Sequence, residues 1–307
     1  MRAFRLHVVA VSVAALALLG CGKEPSAPTA ATKVAEEKIP PYTYPAPVKG
    51  HFKEINIGQF DVVDGIAYTA RGGAGTVIYV TSKPIASPML AASACPMTEA
   101  RALSQLRNVD YMEVTIAHGA SKYFAAGTSF AGSSREEAGG GHYFSSKMKD
   151  DPDRAIGTVI HKLEGSFDFD LPISRPKVNE VSEGDRSNGT RSDLTAPRPA
   201  EPAVTAVYRA LHEAALKKNL KGILAAQGFD AKQIAAIRGL DGIDADVAVY
   251  SDRFLTSSAP DEFSAKPGTA YVRVEGVNAK GKKFANYYHF APCGERFVLV
   301  SIAENPQ

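Results

Sequence analysis

The sequence predicts an α+β protein of two domains, and three observations carry this prediction. Residues 50–175 consist mainly of short runs in which apolar and polar residues alternate or β-branched residues dominate, with turn residues between them. Residues 203–307 show helical periodicity first and strand-like runs afterwards. A polar, proline-rich stretch over residues 176–202 lies between the two and is expected to be a linker. The first domain is therefore predicted to be mainly antiparallel β, as a sandwich or open barrel, and the second to be helices followed by a curved antiparallel sheet.

The predicted strands of the first domain follow from alternation and β-rich composition. They are Ile55–Val63, Gly65–Ala70, Thr76–Thr81, Tyr111–Ala117, Lys122–Ala126, Gly157–Leu163 and Ser166–Ile173. One helix is expected here, because Pro96 suits a first helical position and Glu99 lies in the first turn. Its apolar side would carry Ala100, Leu103 and Leu106.

The second domain is predicted to begin with three helices. The first has apolar residues at helical spacing: Val204, Val207, Tyr208, Leu211 and Ala215. The second begins at the cap residue Asp230 and stops at Gly239, and the third covers about residues 244–255. Three strands then follow, at Thr269–Val277, Lys283–Ala291 and Arg296–Ala303.

Three stretches of this domain carry a family resemblance: Gly268–Val274, Tyr287–Phe290 and Glu295–Ile302. With the preceding helices, they resemble the nuclear transport factor two-like family, whose α+β fold is cone-shaped. Many relatives have a tryptophan where Phe297 stands, and this chain contains no tryptophan. The resemblance implies that one face of the curved sheet lines a pocket.

Alternation divides the last three strands into two faces. One face is apolar and is expected to pack on the helices. The other is predicted to carry the polar residues Tyr271, Arg273, Tyr287 and His289, together with Phe297, Leu299 and Ser301. If this face lines the pocket, His289 would be a base near neutral pH. The alternative is an ordinary half-solvated sheet face with cross-strand pairs.

The first 21 residues have the features of an export signal. Arg2 and Arg5 precede a largely apolar run, Leu6–Leu19, that is too short to span a bilayer as a mature helix. The final residues, Leu18-Leu19-Gly20-Cys21, resemble the lipobox of a bacterial lipoprotein. A plain secretory signal peptide and a transmembrane helix are the alternatives.

The lipobox resemblance implies a specific processing and address. Residues 1–20 would be removed as a signal peptide, and Cys21 would receive a diacylglycerol on its sulfur and an acyl chain such as palmitate on its new amine. Several acyl chains anchor a protein stably in a membrane. Since Gly22 follows in place of aspartate, the expected location is the cell outer membrane, with the protein facing the periplasm. Residues 21–49, rich in proline and alanine, are predicted to be a tether.

Charge argues against a nucleic-acid partner. The chain has 35 basic and 33 acidic residues, and the predicted signal peptide holds two of the basic ones, so the mature chain would carry 33 of each. A balanced chain has no basic field to attract a polyanion.

Two further pairs of residues are candidates for chemistry. Cys95 and Cys293 would remain after lipidation of Cys21, and in an oxidising envelope they either pair as a disulfide or stay separate thiols. Asp168 and Asp170 fall on the same side of a predicted strand and are weak candidates for a metal site or for acid–base work. Solvent-facing strand residues are the ordinary alternative.

The function predicted from these features is that of a membrane-anchored binding or interaction module without a cofactor. Its ligand would be an envelope protein or a small molecule. The sequence has no metal-ligand spacing and no nucleophile elbow, so enzyme activity is left open without positive support. The alternatives are a small-molecule enzyme of the cone type that uses His289 with Tyr271 or Tyr287, and a periplasmic inhibitor or immunity protein.

Overall fold

The computed structural model describes residues 48–54, 58–70, 75–117, 123–130, 133–140, 144–149, 151–161, 165–177, 200–254, 262–266, 269–277 and 283–303. Its first half contains ten strands: β1 (Val48–Glu54), β2 (Gly58–Val62), β3 (Asp64–Thr69), β4 (Gly75–Thr81), β5 (Tyr111–Ala117), β6 (Tyr123–Phe130), β7 (Ser133–Gly140), β8 (Phe144–Met148), β9 (Arg154–His161) and β10 (Gly165–Ser174). Two helices, α1 (Ser87–Ala91) and α2 (Pro96–Arg107), lie between β4 and β5.

The second half has the order that the sequence predicted. Four helices come first: α3 (Ala200–Leu216), α4 (Leu220–Ala226), α5 (Ala231–Arg238) and α6 (Ile243–Ser251). Four strands follow: β11 (Glu262–Lys266), β12 (Thr269–Val277), β13 (Lys283–Cys293) and β14 (Arg296–Ala303). They form an antiparallel sheet in that order. The α+β class and the helices-then-sheet layout are thus confirmed.

The ten strands of the first half make one sheet that bends into two layers at β10. The strand β10 pairs antiparallel with β1 and with β9, and only its last residues, Ile173 and Ser174, pair with β3, in parallel. An apolar cluster lies between the layers. It brings together Val48, Phe52, Phe167 and Phe169 from one layer with Ile78, Val80, Met112 and Val114 from the other.

The central strands β3, β4 and β5 are buried on both faces. Every residue of β4 is buried, and alternate side chains join different cores. Val77 and Tyr79 enter the larger core, whereas Ile78 and Val80 enter the cluster between the layers. Burial on both faces explains why the middle of β4, residues 77–80, is an unbroken apolar run, because neither side faces water.

The larger core contains residues from both halves of the chain. It includes Tyr79, Leu103 and Leu106 before the predicted 176–202 linker, and Tyr208, Val272 and Phe290 after it. The helix α2 is central to this core, packing against β14 and α6. All described residues belong to one compact unit.

Several local predictions agree with the structure, but some helices and strands were not predicted. The helix α3 buries Val204, Tyr208, Leu211 and Ala215 as its periodicity predicted. The short helices α1 and α4 were not predicted. The predicted strand over residues 55–63 contains β2, and the strand that pairs with it, β1, was not predicted: it begins at Val48, inside the stretch predicted to be tether.

The predicted N-cap of α5 is present, and its contribution to the free energy of unfolding can be measured. The Asp230 carboxylate accepts a hydrogen bond from the Gln233 amide nitrogen at 2.8 Å, and the Gln233 side chain accepts one from the Asp230 amide at 2.9 Å. We expect Asp230→Ala to lower the free energy of unfolding by about 1 kcal/mol, because a helix donor loses its acceptor. Asp230→Asn is the matched control and should unfold at nearly the wild-type urea concentration. Equal losses in the two variants would contradict a capping role.

Candidate functional site

Four of the predicted site residues form one group on the second sheet. Tyr271 lies opposite His289 in the pairing of β12 with β13, and Arg273 lies opposite Tyr287. Residues two apart on a strand share a face, so all four side chains are on the same side of the sheet. The intervening residues, among them Val272 and Tyr288, are fully buried in the larger core. We call the group of Tyr271, Arg273, Tyr287 and His289 the tyrosine patch.

The rings of the tyrosine patch are in contact. The centroids of Tyr271 and Tyr287 lie 5.6 Å apart in an edge-to-face arrangement, and those of Tyr271 and His289 are also 5.6 Å apart. The Arg273 guanidinium forms an ion pair with the Glu275 carboxylate, which is two residues further along the same strand. Such contacts give aromatic side chains a defined geometry in addition to the area that they bury.

Exposure differs among the members of the patch. The tyrosines are partly exposed, the Arg273 side chain is 23% exposed, and His289 is only 6% exposed. A general base must come within hydrogen-bond reach of the proton that it removes. The buried imidazole is poorly placed for that task, whereas the tyrosine rings and the Arg273–Glu275 pair are accessible to a ligand.

A β-bulge changes the predicted composition of this face. The register between β13 and β14 shifts between His289 and Phe290, so that Ser301 lies opposite His289 but Leu299 lies opposite Phe290. Leu299 is fully buried in the larger core, as is most of Phe297. The prediction that Phe297 and Leu299 share the polar face was therefore wrong, because an extra residue at a bulge breaks the alternation.

Cys95 and Cys293, the two cysteines outside the predicted lipobox, form a disulfide bond in the structure. The Sγ atoms of Cys95 and Cys293 are 1.98 Å apart, and the Cα atoms are 5.8 Å apart. Cys95 is the residue before the first turn of α2, and Cys293 ends β13. The bond therefore joins the start of α2 to the second sheet. Both cysteines are buried, which is typical of a structural bridge.

The two aspartates proposed for a metal are engaged with neighbouring side chains. Asp168 accepts a hydrogen bond from the Thr158 hydroxyl at 2.6 Å, and Asp170 accepts two from the Arg154 guanidinium. Both lie on the exposed face of β10, where β9 runs beside it. Within the described ranges, no three His, Cys, Asp or Glu side chains are grouped so as to hold a metal ion.

The helix α2 carries a set of buried charges that the sequence did not predict. Arg101 donates to Glu113 of β5 at 2.7 Å, with side-chain exposures of 5% and 1%. Arg107 pairs with Asp246 of α6 at 2.9 Å, and Lys83 reaches the other carboxylate oxygen. Glu99 accepts hydrogen bonds from Arg296 of β14 and from Gln233 of α5. Opposite sides of α2 are thus held by separate charge pairs.

A buried tyrosine adds a further polar contact to α2. The Tyr79 hydroxyl donates to the Ser104 hydroxyl at 2.9 Å, and its ring stacks on Tyr111. Burial raises the pKa of Tyr79 well above its usual value, with the nearby Tyr111 as a smaller cause. The hydroxyl therefore stays protonated and remains a donor at neutral pH. These groups are enclosed by the core, so we assign them to stability.

Cys21, the predicted lipidation site, lies outside the described residues. Among the residues that are described, no helix is both long enough and apolar enough to cross a membrane.

Compared with known proteins, the chain matches no family model, no curated protein and no solved structure.

Proposed function

We propose that the protein is a lipid-anchored lipoprotein of the bacterial cell envelope that acts as a binding module, with the tyrosine patch as its binding face. The observation that carries the proposal is the cross-strand register of β12 and β13, which gathers two tyrosines, an arginine and a histidine on one face. Tyrosine and arginine are the residue types enriched where proteins bind partners. The opposite face is core, so the patch is presented by a rigid support.

The lipobox supports the location. Leu18-Leu19-Gly20-Cys21 predicts processing before Cys21, and the proline-rich stretch ahead of β1 would separate the folded body from the membrane. An outer-membrane address facing the periplasm follows from Gly22 in the predicted second position.

The burial of His289 favours binding over catalysis as the function of this face. His289 is 6% exposed, whereas Tyr271, whose ring contacts it, is partly exposed. An enzyme of the cone type remains the second candidate, because His289 and Tyr271 are in ring contact as that hypothesis requires. In that case His289→Gln would abolish turnover while binding persisted.

Photo-crosslinking in intact cells tests the binding face. Glu275 borders the patch and is 62% exposed, whereas Glu213 is 71% exposed on α3, which packs on the opposite, core face of the sheet. Each glutamate is replaced in turn by a photoreactive aromatic residue in the full-length chain. We expect discrete higher-mass adducts from position 275 and none from position 213. Adducts of equal yield at both positions would show that the patch is not the binding face.

The anchor gives a separate prediction. We expect Cys21→Ala to move the protein from the membrane fraction to the soluble fraction, or to leave it as an uncleaved precursor, because no thiol remains to carry the diacylglycerol. Fractionation with detection by an antibody measures this. A Cys21→Ala chain that is processed and still membrane-bound in the same proportion as wild type would contradict the lipoprotein assignment.

A further inference from the structure

The hairpin of β13 and β14 ends in a tight turn that places a cysteine opposite an arginine. Cys293 ends β13, Arg296 begins β14, and the two residues are paired across the hairpin. Only Gly294 and Glu295 lie between them, and Gly294 has a φ of 65°, in the left-handed region that glycine tolerates. A two-residue turn fixes the register of the strands that it joins. Cys293 and Arg296 are therefore positioned together.

The first turn of α2 carries a partner for each of these two residues. Cys95 and Glu99 are four positions apart, so they lie on the same side of the helix. The Cys95 amide donates to the Ser93 hydroxyl at 2.9 Å, and the Cys95 carbonyl accepts from the Glu99 amide at 3.0 Å. Cys95 is bonded to Cys293, and the Glu99 carboxylate accepts from the Arg296 guanidinium. A covalent contact and an ionic contact thus join the hairpin tip to α2 side by side.

The ionic contact is held in place by further noncovalent contacts. The Arg296 guanidinium also donates to the Gln227 carbonyl at 2.5 Å. It passes close to Gly228, where a Cβ atom would lie 2.7 Å from the Arg296 Cδ atom. Glu99 is only 1% exposed, and its other carboxylate oxygen accepts from the Gln233 side chain at 3.0 Å. None of these contacts needs the disulfide, so they also position the hairpin tip when both cysteines are thiols.

We propose that the Glu99–Arg296 ion pair is a positioning device for oxidation, which brings Cys293 onto Cys95 before the bond between them forms. This role is independent of what the tyrosine patch binds. The ion pair selects the arrangement in which the two sulfurs meet, and the bond then locks that arrangement. Once bonded, Cys95 is fully buried and Cys293 is 5% exposed, which shields the bond from reductants.

The oxidation is a two-step thiol–disulfide exchange with a small disulfide such as oxidised glutathione. One cysteine thiolate attacks the glutathione disulfide, forms a mixed disulfide and releases one glutathione. The second cysteine thiolate attacks the protein sulfur of the mixed disulfide, forms the bond between Cys95 and Cys293, and releases the other glutathione. The two cysteines lose two electrons and two protons, and the glutathione disulfide takes up both. Docking of Arg296 on Glu99 delivers the thiolate for the second step.

Equilibration with mixtures of oxidised and reduced glutathione tests the proposal. The full-length chain is used in detergent micelles with Cys21→Ala, which leaves Cys95 and Cys293 as its two cysteines. Trapping of free thiols with a maleimide gives the bonded fraction, and hence the effective concentration of one thiol at the other. We expect Arg296→Gln to lower this effective concentration by about 10-fold, since groups in contact couple by this order of magnitude. Glu99→Gln keeps the side-chain volume, removes the charge and should act in the same direction.

Glu113→Gln is the matched control, because it removes the charge from another buried pair of α2 without touching the hairpin. Its effective concentration should stay within about 2-fold of wild type. Circular dichroism shows whether each reduced chain is folded, and Glu99→Gln supplies the comparison if reduced Arg296→Gln is not. If both of these variants unfold on reduction while reduced Glu113→Gln stays folded, the ion pair is needed to dock the reduced hairpin, which supports the proposal.

Three outcomes would overturn the proposal. The first is an effective concentration that is the same in the wild type, Arg296→Gln and Glu99→Gln. The second is an equal loss in Glu113→Gln and Arg296→Gln, which would show a general loosening of α2. The third is a wild-type chain that is unfolded whenever its cysteines are reduced, because the bond would then have to form before the hairpin docks.

Discussion

Replacing Glu113 by alanine is expected to lower the free energy of unfolding by about 3–5 kcal/mol, because it leaves the Arg101 guanidinium charged inside the protein. Both side chains are almost fully buried, and they meet at 2.7 Å between α2 and β5. When one member of a buried ion pair is removed, the other stays out of water without the attraction that offset its desolvation free energy. Urea unfolding followed by circular dichroism measures the change.

Two variants make the Glu113 measurement specific. Glu113→Gln keeps an acceptor for Arg101 and should lose less stability than Glu113→Ala. Glu213→Ala breaks an ion pair with Lys217 that is exposed on α3, and its urea midpoint should match that of the wild-type protein. If Glu113→Ala shifted the midpoint no more than Glu213→Ala, the buried pair would have no role in holding α2 to the first sheet.

The second large effect is expected from the bond between Cys95 and Cys293. We expect the double variant Cys95→Ser with Cys293→Ser to lose about 2–5 kcal/mol of stability, with a value near the top of that range. The reason is that the bond closes a loop with a sequence separation of 198 residues, and a long loop removes much of the freedom of the unfolded chain.

Reducing agent supplies the control for this second prediction. Dithiothreitol should lower the urea midpoint of the wild-type protein toward that of the double variant. It should leave the urea midpoint of the double variant unchanged. A wild-type chain that unfolds at the same urea concentration with and without dithiothreitol, under conditions in which free thiols are detected after unfolding, would show that the bond adds no stability.

Local patterns were sufficient for much of the fold. Alternation or β-rich composition located β3, β4, β5, β12 and β13 within a few residues, because each of these strands has at least one buried face. The cap at Asp230 was identified because its hydrogen bonds link residues only three apart. The same alternation placed Tyr271, Arg273, Tyr287 and His289 on one face, since period two within a strand needs no knowledge of the neighbours.

The missed features depend on residues that are distant in sequence. The partner of Glu99 is Arg296, 197 positions away, and that of Arg107 is Asp246, 139 positions away. Nothing near α2 indicates that its charges will be buried. A local hint is that Ala100 and Ala102, on different sides of the helix, are both small, and both are fully buried in the structure. The bulge at His289 likewise follows from how β14 pairs with β13, and single-strand periodicity does not reveal it.

The position of α2 has a consequence for how the chain reaches its final form. A polypeptide is synthesised from its N-terminus. Residues of α2 and its start, such as Cys95, Glu99 and Leu103, are therefore made about two hundred residues before Cys293, Arg296 and Leu299 of the second sheet. During that interval α2 has no second sheet to pack on, and its apolar side is available to other chains. The strand β14, the last of the described strands in chain order, therefore completes the core around α2. Folding of this protein is expected to be a late, nearly whole-chain event that depends on protection of the growing intermediate.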